Sequence, residues 1–179
     1  GILIKDAESL ERARSITAVV LDKTGTITEG KPDVVEGIGL EDRDAARAIL
    51  AIESRSKHPL AEAIVQYIFQ IIPDDHFGNG PSMDHFEDLS GKGVKATVEG
   101  ATWLVGNRRL LEENGIAITG AWREHEKRWQ EAAHTVVWAA AGGSVRAGLA
   151  IADRIKPSAA GAIKRLQDAG VKVYMQTGD

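Results

Sequence analysis

Cysteine is absent from the 179 residues, so neither a disulfide nor a thiolate metal site can form within them. An excess of basic charge is also missing. Lys and Arg number 22 against 26 Asp and Glu, a net charge of −4 spread along the chain. A nucleic-acid surface would be basic, so no nucleic-acid partner is expected. No apolar run approaches the roughly 18 residues that read as a membrane helix. The longest candidate, AIVQYIFQII at 63–72, is interrupted by Gln66 and Gln70, and no direct membrane insertion of this chain is expected. Internal repeats, low-complexity segments, an initial Met and a signal peptide are absent as well. Gly1 opens the chain and Asp179 follows directly on a strand-like run. Both ends read as cut, so a piece of a longer protein is expected. What is present is 43% apolar residues, enough to bury the core of one large domain or two small ones.

A short helix is expected within LIKDAESLERA, behind the apolar run 1–4. ITAVVL (16–21) and VKVYM (171–175) are apolar and β-branched, the pattern of strands covered on both faces in a parallel sheet. GKPD (30–33) reads as a break. Helical periodicity runs from Asp42 to about Ser54 and from Pro59 to about Ile72, with Pro59 at a first helical position and Ser56 or Lys57 just upstream. Residues 72–82 read as a loop. FEDLSGKGVKATVEGATWLVG alternates in short runs broken at Gly91, Gly93 and Gly100, the pattern of hairpins. Helices are expected at 108–114, ending at Gly115, and at 122–133, where the charges of WREHEKRWQE read as an exposed face. TVVWAAA and SVRAGLAIA form another hairpin across Gly142-Gly143. Pro157 opens a helix that ends at Gly170. The four Trp read as packing groups, and His76, His85, His125 and His134 match no motif. Parallel-type runs at both ends and an antiparallel middle predict a split α/β domain, residues 1–31 and 151–179, with an α+β domain, residues 32–150, inserted into it.

Asp22 stands at the carboxyl end of the first parallel-type strand, the edge at which open sheets bind ligands. Thr24, Gly25 and Thr26 follow, and Gly25 permits a tight turn whose N–H groups can face an anion. A carboxylate beside a phosphate cradle is a metal ligand or a nucleophile, and aspartate nucleophiles form aspartyl-phosphates. For a lone Asp-x-x-Gly the plain alternative, a strand-to-turn boundary, is the commoner. The second such strand runs into Thr177-Gly178-Asp179, which would aim a hydroxyl and a carboxylate at the same edge.

DKTGT (22–26) resembles the phosphorylation motif of P-type ATPases, ion pumps built on a haloacid-dehalogenase-like domain. That resemblance implies Asp22 as nucleophile, Thr177 as a contact to the transferred phosphoryl group, and Mg²⁺ held by Asp22 and Thr24 in an incomplete site. Phosphatases of the superfamily usually carry a second Asp two positions on as general acid/base. Thr24 stands there instead, so the acyl-phosphate would persist and drive a conformational cycle. ESRSKHPL (53–60), GKGV (91–94) and VGN (105–107) resemble the nucleotide motifs of the heavy-metal-transporting branch. By that resemblance Glu53 reads the adenine edge and His58 lies against the base. Gly91 and Gly93 admit the nucleotide, Val94 touches its ring, and Asn107 bonds near the ribose or phosphates. Lys57 stands where the family's usual S-E-H-P-L has Glu. ADRIKP (152–157) resembles the family's Asp-x-x-Lys/Arg-Pro segment, which implies Asp153 near the hinge and the nucleotide.

Alone, each motif has a plainer explanation: a helix start for His58-Pro59, a solvated residue for Glu53, a hairpin turn for Gly-x-Gly. The family's later Gly-Asp-Gly-x-Asn-Asp motif and its phosphoryl-steadying Lys are absent from these residues. The resemblance therefore implies an α/β haloacid-dehalogenase-like domain, partial, with an inserted α+β nucleotide-binding domain. It implies ATP and Mg²⁺ as ligands, actuator and transmembrane domains in the same parent chain, and a place on the cytoplasmic side of the plasma (inner) membrane. Cu⁺ is the expected cargo, from the GILIKDAESLE lead-in. Two rivals stand beside this expectation: a superfamily phosphatase free of any membrane, and a fragment that only binds nucleotide.

Overall fold

The computed structural model describes residues 6, 15–72 and 81–176. The expected helix within residues 3–13 apart from Asp6, most of the loop at 72–82, and Thr177, Gly178 and Asp179 lie outside the described residues. The chain divides into two units, residues 1–31 with 153–179, and residues 32–152.

In the first unit, β1 (Ala18–Asp22) pairs in parallel with β8 (Lys172–Gln176), Ala18 opposite Lys172 and Asp22 opposite Gln176. Parallel partners need a crossover. Here the crossover contains the second unit and ends in α5 (Ala159–Asp168), which packs beside β8. Pro157 stands just upstream of α5 and Gly170 just after it. The apolar runs predicted two covered faces, and the structure corrects this. Val20 is 62% exposed, Tyr174 54% and Met175 60%. Among the described residues only two strands and one helix gather here, too little surface to cover a sheet.

β1 leads into a wide helical turn (Lys23–Ile27), closed by the Thr28 N–H donating to the Lys23 carbonyl. β2 (Thr28–Ile38) follows without interruption, so GKPD is not a break. β2 is an edge strand of its sheet, and an edge tolerates Pro32, which has no N–H to give.

The second unit is built on a six-stranded sheet in the order β2-β7-β6-β5-β4-β3. β3 (Met83–Leu89), β4 (Gly93–Val98), β5 (Ala101–Gly106), β6 (Thr135–Ala141) and β7 (Ser144–Ile155) each pair antiparallel with the next. Alternation sorts the side chains onto two faces. Val94, Ala96, Val98, Trp103, Val105, Val137, Ala139 and Leu149 join one buried cluster with α1 (Arg43–Glu53) and α2 (Pro59–Ile71). Leu104, Trp138, Ala140 and Ala150 join a second with Leu110 and Leu111 of α3 (Arg108–Glu113) and Trp129 of α4 (Ala121–Glu131). Helices thus cover both faces of this sheet.

His58 caps α2, its Nδ1 accepting from the Leu60 N–H at 3.2 Å, in keeping with a helix start at His58-Pro59. The charged α4 is not simply an exposed face, since Glu126 and Trp129 are buried. Trp122, Glu126 and Trp129 recur at helical spacing, and Glu126 accepts from Arg108 Nη1 at 2.7 Å.

Candidate functional site

Asp22 closes β1 with its side chain exposed at the carboxyl edge of the parallel pair. Thr24 is the second residue of the turn that follows. Gly25, the third, has φ +76°, a conformation that L side chains rarely adopt. Its N–H does not face outward as an anion donor. It donates to Thr28 Oγ1 at 3.1 Å. The Thr28 hydroxyl is buried, 3% exposed, and lies 2.5 Å from Asp153 Oδ2 and 3.0 Å from the Lys23 carbonyl. Asp153 also accepts from the Gly30 and Lys31 N–H groups, each at 3.1 Å. Lys156 Nζ donates to the Gly25 carbonyl at 2.5 Å, and the Lys156 N–H to the Ile27 carbonyl at 2.9 Å.

A hard cation such as Mg²⁺ takes about six oxygen ligands. Among the described residues no group of three or more His, Asp or Glu gathers to hold a metal. Asp22 supplies one carboxylate at this edge, and the residues present do not make up the shell of such an ion.

In the second unit, Glu53 ends α1 and is 8% exposed. Burial pushes its pKa up to about 7. Its carboxyl makes no hydrogen bond among the described residues, so desolvation acts unopposed. This is not the solvated helix residue its sequence position allows. The connection to α2 is tight: the Ser56 N–H donates to the Glu53 carbonyl at 3.1 Å, and the His58 N–H to Ser56 Oγ at 3.2 Å. His58 is exposed, with Nδ1 occupied as the cap acceptor. That bond leaves Nε2 to carry the proton in the neutral ring. α1 lies on β4 and β5.

The two glycine motifs meet directly. Gly93 opens β4 and pairs with Gly106 at the end of β5. A Cβ on Gly93 would stand 2.2 Å from the Val105 carbonyl, and one on Gly106 2.1 Å from the Lys92 carbonyl. Neither position admits a side chain. Asn107 sews the motifs together: its N–H donates to the Lys92 carbonyl at 2.8 Å, and its Nδ2 to the Gly91 carbonyl at 2.9 Å. Its Oδ1 caps α3, accepting from the Leu110 N–H at 3.1 Å. Val94 is buried in the core cluster behind this junction.

The structure therefore brings Gly91, Gly93 and Asn107 together, and joins Glu53 to His58 across one short turn. Asp153 lies with the Asp22 turn in the first unit, accepting from Thr28 Oγ1 and the Gly30 and Lys31 N–H groups. Thr177 lies outside the described residues. Sequence reasoning missed Thr28, Lys156 and Gly106. The hydroxyl two positions beyond Thr26 and the middle residue of Val105-Gly106-Asn107 were the available signals.

The haloacid dehalogenase-like hydrolase profile matches residues 16–179. The probable copper-transporting ATPase PacS of Synechococcus elongatus is 43% identical over the whole of this chain, and the probable copper-exporting P-type ATPase of Archaeoglobus fulgidus 39%. The chain spans 24% of the first of these and 21% of the second. A zinc-transporting PIB-type ATPase, solved in its E2.Pi state, superposes with a TM-score of 0.68 at 30% identity, over 99% of this chain and 28% of that one. The catalytic domain of the CPx-ATPase CopB-B shares the fold, with a TM-score of 0.66 at 23% identity, over 99% of this chain and 60% of that one. With that profile matched over residues 16–179, Asp22 and its turn included, the chain belongs to the haloacid dehalogenase-like hydrolase family.

Proposed function

We propose that this chain is the ATP-binding and phosphorylation region of a heavy-metal-transporting P-type ATPase that exports Cu⁺. The observation that carries the reading is Asp22 at the carboxyl edge of β1, in a chain matched along its whole length by copper pumps. ATP binds the unit of residues 32–152, at Glu53, His58, Gly91, Gly93 and Asn107. A carboxyl with its pKa raised to about 7 is substantially protonated near neutrality. It then offers an O–H donor beside a carbonyl acceptor, complementary to adenine's ring nitrogen and amino group. The Gly93–Gly106 contact keeps the backbone bare where a ligand approaches.

Asp22 then attacks the γ-phosphorus in line. A bond forms from its carboxylate oxygen to phosphorus, the bond from phosphorus to the bridging β-phosphate oxygen breaks, and ADP leaves. Water later hydrolyses the acyl-phosphate, returning free Asp22 and inorganic phosphate. Positioning and charge neutralisation supply most of the rate. Mg²⁺ would supply part of that neutralisation when bound, and Asp22 would offer it one carboxylate at the β1 edge. Thr24, not an acid, stands two positions beyond Asp22, which disfavours a simple phosphatase.

Copper rather than zinc is favoured as cargo because the copper-pump relatives are 39–43% identical and the zinc-pump structure 30%. No helix among the described residues is long and apolar enough to cross a membrane. The actuator and membrane-spanning parts belong to the rest of the parent, and this region works at its cytoplasmic side. In the full-length pump, labelled ATP should give an acid-stable, hydroxylamine-labile phosphoenzyme. Asp22→Asn should abolish the label and leave nucleotide affinity within about twofold. A labelled Asp22→Asn pump places the nucleophile elsewhere and ends the proposal.

A further inference from the structure

We infer that Asp153, Thr28 and Lys156 form a clasp that positions the turn behind Asp22, making them positioning residues for phosphoryl transfer rather than ligands of the nucleotide. The inference rests on the reading of Asp22 as phosphoryl acceptor. The turn Lys23–Ile27 leaves β1 directly behind Asp22. Its helical hydrogen bonding is the wide kind that rarely persists. Gly25 sits at φ +76° with nothing within 4 Å of where a Cβ would be, so no side chain locks it there, and hydrogen bonds fix its place.

Those bonds converge from a segment 125 residues further along the chain. The Thr28 hydroxyl accepts from the Gly25 N–H and donates its one proton to Asp153 Oδ2, the nearer of its two acceptors. The Asp153 carboxylate thus receives three donors: Thr28 Oγ1, the Gly30 N–H and the Lys31 N–H. Such a group is directed at protein, and a second anion such as a triphosphate would repel it. Lys156 grips the same turn at the Gly25 and Ile27 carbonyls. Asp153 and Lys156, spaced as in the Asp-x-x-Lys-Pro motif, therefore act on one object, the turn that carries Asp22 at its head. A change in the turn's pitch would swing the Asp22 carboxylate out of line, and displacements of about 1 Å cost roughly 100-fold in rate.

Two measurements test this. In the 179-residue chain, amide exchange should be slow at Gly25, Gly30 and Lys31. Asp153→Asn, whose amide presents donors to donors, should speed Gly30 or Lys31 by about tenfold or more, and Thr28→Val should do so at Gly25. Amides of the β1–β8 ladder in the same unit should stay protected in both, showing that its fold survives. Unchanged exchange at all three positions would sink the clasp, whatever the chain's activity. In the full-length pump at saturating ATP, Thr28→Val and Asp153→Asn should slow phosphoenzyme formation by about 10- to 100-fold. Nucleotide affinity should stay within about twofold, and Thr28→Ser, which keeps the hydroxyl, should recover most of the rate. A wild-type rate in Thr28→Val overturns the proposal. So does an Asp153→Asn pump whose defect is weak ATP binding that saturation cures, because Asp153 would then be a nucleotide ligand. Failure of the unchanged pump to label would instead remove the reading of Asp22, and the exchange data alone would decide the clasp.

Discussion

Glu53 is a carboxyl placed where water is scarce, and its cost depends on pH. Burial raises its pKa from 4.5 to about 7 in the folded chain. Below the unfolded-state value the group is protonated in both states and costs the fold nothing electrostatically. As pH rises from about 4.5 to about 7 the unfolded chain loses its proton while the folded chain keeps it, so stability falls across that window and levels off above it. The full loss is at most roughly 3 kcal/mol. Urea titrations at several pH values should show that slope, and Glu53→Gln should flatten it. A wild-type profile level from pH 4.5 to 7 would mean the carboxyl reaches water. Position 53 was legible as a candidate only through the motif around it. Its burial was not, because a Glu closing a helix usually faces solvent, and which way this one faces is set by the packing of α1 on β4 and β5.

α2 begins at Pro59, as its sequence announces, and His58 caps it although His is not among the usual capping residues. The exposed ring serves two masters, the helix through Nδ1 and, in the proposed function, the nucleotide through its face and Nε2. Substitution separates them. His58→Ala should remove about 1 kcal/mol of stability with the cap, and weaken ATP binding by about 1–2 kcal/mol. His58→Asn should restore the cap and the melting temperature without restoring the affinity. Equal affinities in wild type and His58→Asn would leave His58 with the helix alone. Other elements were easier to read. The alternation of β4, β5, β6 and β7 and the glycine turns within β4–β5 and β6–β7 marked the antiparallel hairpins, but not the pairing of β5 with β6 or the place of β2 beside β7. The apolar runs of β1 and β8 misled in the opposite sense. Such runs report that a strand belongs in a covered sheet, and among the described residues the covering layers are few. β2 misled because Pro and Gly mark breaks in general but are tolerated along an edge.

At the scale of the molecule, the second unit is entered along β2 and left along β7, and these strands are neighbours in one sheet. The Lys31 N–H lies 3.1 Å from the Asp153 carboxylate, so the residues just outside its two ends touch. The unit is therefore topologically closed: its start and finish meet, like a bead threaded through a single hole. Such a unit can be given new ends. Gly142 and Gly143 both take positive φ between Ala141 and Ser144, a two-residue turn at the rim of the sheet. A circular permutant of residues 32–152 opened between these glycines, with the old ends joined by a short flexible linker, should fold and bind adenine nucleotide within a few-fold of the parent unit. Circular dichroism and calorimetry would check both. Failure of the permutant beside a well-folded unpermuted unit would show that the β6–β7 turn is needed while the chain folds. Adjacency of ends also bears on descent. Where entry and exit meet, a domain can be gained or lost by its host without moving a strand that was already there, so the boundary near Lys31 and Asp153 is a seam at which the unit of residues 32–152 can be inserted whole.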